Sequence, residues 1–321
     1  MKILVTGANG LVGRAVCRRL LAEGWPVIGG IRHDVSLPEG VEPRHIPPIG
    51  PETPWSEALR GIDAVVHLAA RVHVMDEDVA DPADEFRRAN TLGTLRLARD
   101  ASRFDVRRFV FMSSIKVNGE ASGERPFTVD DPPAPADPYG QSKWEAEQGL
   151  HRLAAASPMK TTILRPPLVY GPGVGGNFLT LLRVVERGWP LPLAAVDNRR
   201  SLISATNLAD AVATALAQPA GACETFLVSD GEDISVPDLI RRIARLMGRP
   251  ARLFGLPPAL LRLAGRLTGR QAAVDRLIQA LTVDDSAFHA RFGWTPPYRL
   301  DAGLAETVDW FAAERSAATS S

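Results

Sequence analysis

Cysteine is scarce: the 321 residues contain two, Cys17 and Cys223. With no CxxC spacing they suggest neither a metal site nor a disulfide framework, and they fit a reducing compartment. There is no excess of either charge, since Lys+Arg 37 balance Asp+Glu 37. The chain therefore lacks the overall basic field that non-specific nucleic-acid binding uses, and no nucleic-acid partner is expected. No uninterrupted apolar run reaches the ~18 residues needed to span a bilayer. The opening MKILVTGANG has no long apolar region and no small-residue cleavage site. Membrane insertion and a secretory signal are therefore not expected, and a cytoplasmic location is. Tyrosine is also rare, with three in the chain, so the setting of each is informative.

What is present suits a soluble globular chain: 45% apolar and 23% charged residues, at a length that fits two domains or one large one. The first half alternates strand and helix signals. Strands are expected at Lys2–Thr6, Val27–Ile31, Ala64–Leu68, Arg108–Ser113 and Lys160–Arg165. Helices are expected at Leu11–Glu23, Asp81–Arg103 and Asp137–Ala156. The prolines of His45–Pro54 make that stretch irregular. This alternation predicts an α/β fold of the Rossmann type, a doubly wound parallel sheet covered on both faces.

After about residue 166 the rhythm breaks into a Gly/Pro loop, six helical patterns and short strands near Ser201–Ser204 and Glu224–Ser229. The expected division is a dinucleotide-binding domain over 1–170, with returning segments near 201–218. A smaller, mainly helical substrate domain follows over 171–315, and then a frayed tail over 316–321. Leu253–Leu267 is apolar with interspersed arginines. It reads as a core-facing helix begun by Pro257 and Pro258, with a membrane-surface helix as the alternative.

Gly7, Gly10 and Gly13 follow the first strand and open the first helix, and each has a physical task. Gly7 permits a tight turn, Gly10 removes a side chain where backbone approaches a pyrophosphate, and Gly13 lets helix and strand pack closely. The helix N-terminus then favours an anion. Gly7, Asn9, Gly10, Leu11, Val12 and Gly13 are thus candidate dinucleotide ligands, and NAD(P) is the expected cofactor. At the end of the second strand stands Arg32 rather than a carboxylate. A cation there suits a 2′-phosphate and favours NADP(H) over NAD(H); the alternative is a solvated arginine with NAD bound.

Tyr139 and Lys143 are i and i+4 on one helix face, 25 positions beyond Ser114 at a strand end. An ammonium beside a phenol stabilises the phenolate. Moving a tyrosine from about 10 to about 7 takes roughly 4 kcal/mol, which one lysine assisted by a positively charged nicotinamide in a dry site would supply. Such a tyrosine exchanges a proton with a sugar hydroxyl or ketone while hydride moves, and Ser114 would hydrogen-bond the same oxygen. No metal site is expected.

These residues together resemble the extended short-chain dehydrogenase/reductases, specifically the NAD(P)-dependent nucleotide-sugar epimerase/dehydratase group. The resemblance is carried by TGANGLVG (6–13), HLAA (67–70), Asn90, SSIKVNGE (113–120), YGQSK (139–143), RPPLVYGPG (165–173), Asn177-Phe178, Arg200-Ser-Leu-Ile and Asn207-Leu-Ala-Asp210. It implies catalytic roles for Ser114, Tyr139 and Lys143, with Lys143 also holding the nicotinamide ribose. It further implies cofactor contacts at Leu68, Ala69, Ala70 and Pro166, and support of the active-site helix by Asn90. Asn177 and Arg200 match positions that hold a nucleotide diphosphate.

Three departures stand out. Ile46-Pro47-Pro48-Ile49 replaces the segment that usually carries an adenine-binding Asp. Val117-Asn118-Gly119 replaces the usual VYG. Ile115-Lys116 replaces the Asp-Glu pair of 4,6-dehydratases, so elimination chemistry is not expected.

Within the group, the 70–75 segment is similar to bacterial UDP-4-keto-6-deoxy-N-acetylglucosamine 4-reductases of surface-polysaccharide synthesis. It places Arg71 and His73 where they either face substrate or lie in a loop. The expected reaction is NAD(P)-dependent hydride transfer at C4 of a UDP-linked hexose: 4-keto reduction or, alternatively, 4-epimerisation. A dinucleotide sensor and a small-alcohol or steroid dehydrogenase are the rival classes. Family analogy also implies a homodimer through the two long helices.

Overall fold

The computed structural model describes residues 1–72, 82–218 and 221–319. Ten strands are described: β1 (Ile3–Thr6), β2 (Val27–Ile31), β3 (Glu42–His45), β4 (Ala64–His67), β5 (Arg108–Met112), β6 (Lys160–Arg165), β7 (Leu168–Tyr170), β8 (Arg200–Ser204), β9 (Cys223–Leu227) and β10 (Asp233–Ile234). The twelve α-helices are α1 (Leu11–Ala22), α2 (Ser56–Leu59), α3 (Pro82–Phe86), α4 (Gly93–Arg103), α5 (Pro138–Ala154), α6 (Gly176–Glu186), α7 (Ala205–Ala217), α8 (Val236–Leu246), α9 (Pro258–Leu267), α10 (Gln271–Ile278), α11 (Ser286–Phe292) and α12 (Leu300–Thr319).

Seven strands form one parallel sheet in the order β3-β2-β1-β4-β5-β6-β9. This is a doubly wound Rossmann-type sheet in which the strand order runs outward in opposite directions from β1 and β4. Its inner strands are buried along their whole length, as continuous apolar runs require when helices cover both faces. On one face Val16, Cys17 and Leu20 of α1 pack with Leu208, Val212 and Leu216 of α7. On the other, Leu97, Ala98 and Ala101 of α4 pack with Leu150 of α5 and with Trp55 and Leu59. Each such large side chain contributes about 1.5–3 kcal/mol by leaving water.

The parallel register aligns the strand ends. Thr6 pairs with Gly30 and His67, His67 with Phe111, and Met112 with Leu164. Every loop that follows these ends opens on the same edge of the sheet, where ligands of such folds bind.

A second core gathers Tyr170, Phe178, Leu182, Leu202, Ile240, Ile243, Leu300 and Leu304 around the small β10-β8-β7 sheet. A buried polar network ties its parts together. The Tyr170 hydroxyl donates to Asp230 at 2.6 Å, and Asp230 also accepts from Asn207 Nδ2 at 2.6 Å and from the Ser204 amide.

Some elements differ from the sequence expectation. Pro43 sits in β3, at the sheet edge, where its missing N–H costs no ladder bond. The helix expected over 81–103 is interrupted by a π-helical turn, Arg87–Leu92, between α3 and α4; residue 81 lies outside the described residues. The tail expected to fray over 316–321 continues α12 as helix to Thr319, and just before it Arg315 pairs with Glu186 at 3.2 Å. The short elements β7, β10, α2 and α11 went unread because runs of two to seven residues carry too little periodicity to stand out.

Candidate active site

The glycine turn between β1 and α1 shows why alanine fits at neither Gly7 nor Gly13. Gly7 has φ +72°, and a Cβ there would lie 2.9 Å from the Ala69 amide nitrogen. A Cβ at Gly13 would lie 2.0 Å from the Gly7 carbonyl oxygen, so the helix could not sit this close to the turn. Gly10 is different. It caps α1 in extended conformation, is exposed, and a Cβ on it would meet only the Gly7 oxygen at 3.4 Å. Its outer side is open, which leaves the backbone N–H groups of the first turn accessible to an anion. Asn9 is exposed beside it, while Leu11 and Val12 are partly buried at the helix start. This cradle fits a dinucleotide pyrophosphate. Arg32 is exposed immediately after β2.

The loop after β4 is held by two networks. Thr6 Oγ1 bonds His67 Nδ1 at 2.7 Å, and His67 Nε2 bonds Thr94 Oγ1 at 3.0 Å. Burial pushes the His67 imidazole down to about 3, with the Lys143 charge adding to it, so the ring is neutral. Thr6 Oγ1 also accepts from the Ala69 amide at 3.3 Å. Leu68, Ala69 and Ala70 are thereby fixed, partly buried, at the sheet edge.

Asn90 supplies the second network from within the π-helical turn. Its side-chain oxygen accepts from the Arg71 amide at 2.8 Å, and its Nδ2 donates to the Arg71 carbonyl at 3.0 Å and to Ser142 Oγ at 3.1 Å. Ser142 Oγ in turn donates to the Tyr139 carbonyl at 2.8 Å. Asn90 thus links the loop after β4 to α5. The Arg71 guanidinium lies 3.8 Å from Glu85. His73 lies outside the described residues.

Helix α5 begins at Pro138 because Asp137 caps it, accepting from the Gly140 amide at 2.7 Å, and proline is favoured at that first position. The side chains at 139, 143 and 147 then stack along one helix face. Lys143 is buried, with its Nζ 2.8 Å from the Met112 carbonyl, 4.6 Å from the Phe111 ring centre and 5.8 Å from the Tyr139 ring centre. Tyr139 also meets Phe86 edge-on at 6.2 Å. Ser114 follows Met112 closely and caps the short turn Ile115–Val117, accepting from the Lys116 amide at 3.2 Å. The structure therefore gathers Tyr139 and Lys143 against the β5 end that carries Ser114. Pro166 joins them, its carbonyl accepting from the Ile115 amide at 3.0 Å.

The electrostatics refine one sequence argument. Lys143 and a cationic nicotinamide together are expected to acidify Tyr139; in the chain alone burial, reinforced by the Asp137 charge, pushes the phenol up to about 12. Burial pushes Lys143 down to about 7, with Glu147 opposing it. The amine is buried and the phenol half-buried, so the amine loses much of the charge that would favour a phenolate. In the protein chain by itself burial favours the neutral form of both the phenol and the amine.

Glu147 was not singled out in the sequence, although its i+4 spacing from Lys143 was a usable signal. It is buried and bonded to Arg165 and to the Ser113 hydroxyl, and Arg165 Nη1 donates to Asn118 at 2.9 Å. This pair fastens α5 to β5 and β6 directly beneath the candidate site. Met112, whose carbonyl anchors Lys143, carried no sequence signal, because backbone groups act regardless of residue type.

Two of the expected substrate residues lie on the second core. Asn177 is exposed in the first turn of α6, whose cap is Gly175. Arg200 Nη1 donates to the carbonyls of Arg276 at 2.7 Å and Gln279 at 3.2 Å, at the end of α10. Among the described residues no cluster of His, Cys, Asp and Glu could hold a metal ion.

A family model for the NAD dependent epimerase/dehydratase family matches residues 3–228. The chain belongs to this family. A UDP-glucose 4-epimerase of Vibrio cholerae is 41% identical over 312 residues, covering 96% of this chain and 95% of that one. The N-acetyl-alpha-D-glucosaminyl-diphospho-ditrans,octacis-undecaprenol 4-epimerase of Escherichia coli O157:H7 is 25% identical, covering 96% and 94%. Among solved structures, MoeE5 in complex with UDP-glucuronic acid and NAD aligns with a TM-score of 0.78 and 26% identity, over 98% of this chain and 100% of that one. The family is one of NAD-dependent enzymes.

Proposed function

We propose that the protein is an NADPH-dependent reductase of the C4 ketone of a UDP-linked 6-deoxy-N-acetylhexosamine. The observation that carries the reading is the seating of a buried Lys143 and a half-buried Tyr139 together against the β5 end at Met112–Ser114. Gly7, Asn9–Gly13 and Leu68–Ala70 would hold the dinucleotide, Arg32 would meet its 2′-phosphate, and Asn90 would brace the loop between them. When bound, the nicotinamide supplies hydride to C4.

The chain supplies the rest. Tyr139, held protonated by burial, gives its proton to the oxygen developing negative charge. Ser114 donates to that oxygen as well, since its Oγ already accepts from the Lys116 amide. Lys143 stays poised between charge states near neutrality, so it can return a proton to the phenol. Arg71, Asn177 and Arg200 are the proposed substrate contacts, with the Arg200 fork suited to a diphosphate. The second core would then serve as the substrate-binding unit, and a homodimer would form through α4 and α5.

Two features support reduction. Arg32 suits the phosphorylated cofactor that net reductions draw upon, and a resting phenol that is protonated is already a donor. The second reading, UDP-hexose 4-epimerisation, is supported by the name of the 41%-identical relative. Stoichiometry separates them. A reductase given a UDP-4-keto-6-deoxy sugar consumes one NADPH per product, whereas an epimerase interconverts UDP-glucose and UDP-galactose with no net change in reduced-cofactor absorbance. Tyr139→Phe should lower turnover by about 10²–10⁴-fold while cofactor binding persists. Full turnover in that variant would refute the assignment of Tyr139, and a cofactor-dependent function surviving without turnover would favour a sensor.

A further inference from the structure

Helices α9 and α10 form a hairpin in which Gly265 packs against Val274. That contact uses one side of α9, through Leu261 and Gly265. The opposite side is also apolar, and it is open. Leu260, Leu263 and Leu267 are 48%, 52% and 79% exposed. Their i, i+3, i+7 spacing places them on a single stripe about 60° wide, and exposed Ala264 extends it. Phe254 just before the hairpin, Leu277 on α10 and Trp189 are exposed as well. The segment 189–194 is bonded to 252–254 through Leu191 and Phe254, which brings Trp189 close to this edge.

The charge around the stripe is of one sign. From residue 249 to residue 276 the chain carries six arginines (Arg249, Arg252, Arg262, Arg266, Arg270 and Arg276) and one acid, Asp275. All six arginines are exposed. Asp275 is partly buried and faces Arg262 at 3.7 Å. The whole protein is electrically balanced, so this is a local segregation of charge.

We infer that the α9–α10 hairpin is a docking surface for an anionic lipid bilayer, lying in its interface without crossing it. Exposed leucines and aromatics enter the boundary between headgroups and acyl chains, while the flanking arginines reach phosphates. Among the described residues no helix is long and apolar enough to span a membrane, so the attachment is peripheral. A second copy of this chain is a poor occupant, because two-fold pairing would set six arginines against six. The hairpin also ends at Arg276 and Gln279, whose carbonyls hold Arg200. Docking there sets the bilayer surface next to the element that fixes this side chain.

The test is co-sedimentation of the full chain with vesicles of phosphatidylcholine, with and without about one-third phosphatidylglycerol. Binding is expected to the anionic vesicles only, and to weaken many-fold as salt rises. Leu263→Glu with Leu267→Glu should reduce it by more than ten-fold. Arg266→Gln with Arg270→Gln should reduce it roughly twenty-five-fold, at about five-fold per surface arginine. Both variants should keep their melting temperature and turnover on soluble substrate. The inference is overturned if the wild type ignores anionic vesicles or binds neutral ones equally. It is also overturned if both variants bind as well as wild type, or if sedimentation velocity shows the leucine variant splitting a dimer into monomers.

Discussion

Lys143 is a catalytic candidate that should cost the protein stability. Its amine is buried, and burial pushes it from 10.5 down to about 7. The folded-state value is depressed, so between pH 7 and 10.5 the unfolded chain binds more protons than the native one, and stability rises with pH across that window. At about 1.4 kcal/mol per tenfold, the amine holds the native state back by roughly 4 kcal/mol at pH 7 and roughly 3 kcal/mol at pH 8.5. Lys143→Met keeps the length and removes the charge, but it also leaves the Met112 carbonyl without its donor. An orphaned buried acceptor costs about 1–3 kcal/mol. The variant should therefore gain about 1–3 kcal/mol at pH 7, and its advantage should shrink by about 1–2 kcal/mol at pH 8.5. Urea unfolding followed by circular dichroism at the two pH values measures both. The thiols of Cys17 and Cys223, pushed up to about 12 by burial, are common to both proteins and cancel in the difference. Turnover should be lost at the same time. A variant no more stable at pH 7 that shows the wild-type pH slope would mean that Lys143 is fully charged and satisfied in the native state, and the reasoning would fail.

Three further outcomes are expected. Glu147→Gln leaves Arg165 as a buried cation without its carboxylate and should destabilise the fold by about 3–5 kcal/mol, read from the urea midpoint; a loss below about 1 kcal/mol would show that water already reaches the pair. Gly13→Ala puts a methyl 2.0 Å from the Gly7 oxygen and should weaken dinucleotide binding at least about a hundred-fold by titration calorimetry, through movement of the α1 N-terminus away from the phosphates; unchanged affinity in a folded variant contradicts this. Arg32→Glu should reverse the NADPH over NADH preference by about ten-fold or more in kcat/KM, and an unmoved ratio would remove Arg32 from the cofactor site.

Much of the site was legible because its chemistry is local in the chain. The glycine turn spans residues 7–13, and the Tyr139–Lys143 pair spans one helical turn, so spacing alone conveys geometry. The alternation of strands and helices likewise predicts a parallel sheet. Where local spacing is silent, the partners are distant in sequence. Asn90, indicated by the family resemblance alone, reaches Arg71 and Ser142, and Glu147, which was not singled out, reaches Arg165 and Ser113, across 18 to 52 positions that no local pattern connects. Arg200 matched a diphosphate-binding position by resemblance, yet its guanidinium is seated on the end of α10, a contact 76 positions away.

The primary structure by itself determined the cradle and the pairing of phenol with amine, because both depend on neighbours within one turn of chain. Tertiary structure alone decided the ionisation of that pair. Closing the sheet edge over Lys143 and partly over Tyr139 desolvates the pair, and desolvation shifts a titratable group more than a neighbour one helical turn away can restore. It also decided which side of α9 is covered, since two apolar sides were available and only one meets a partner helix.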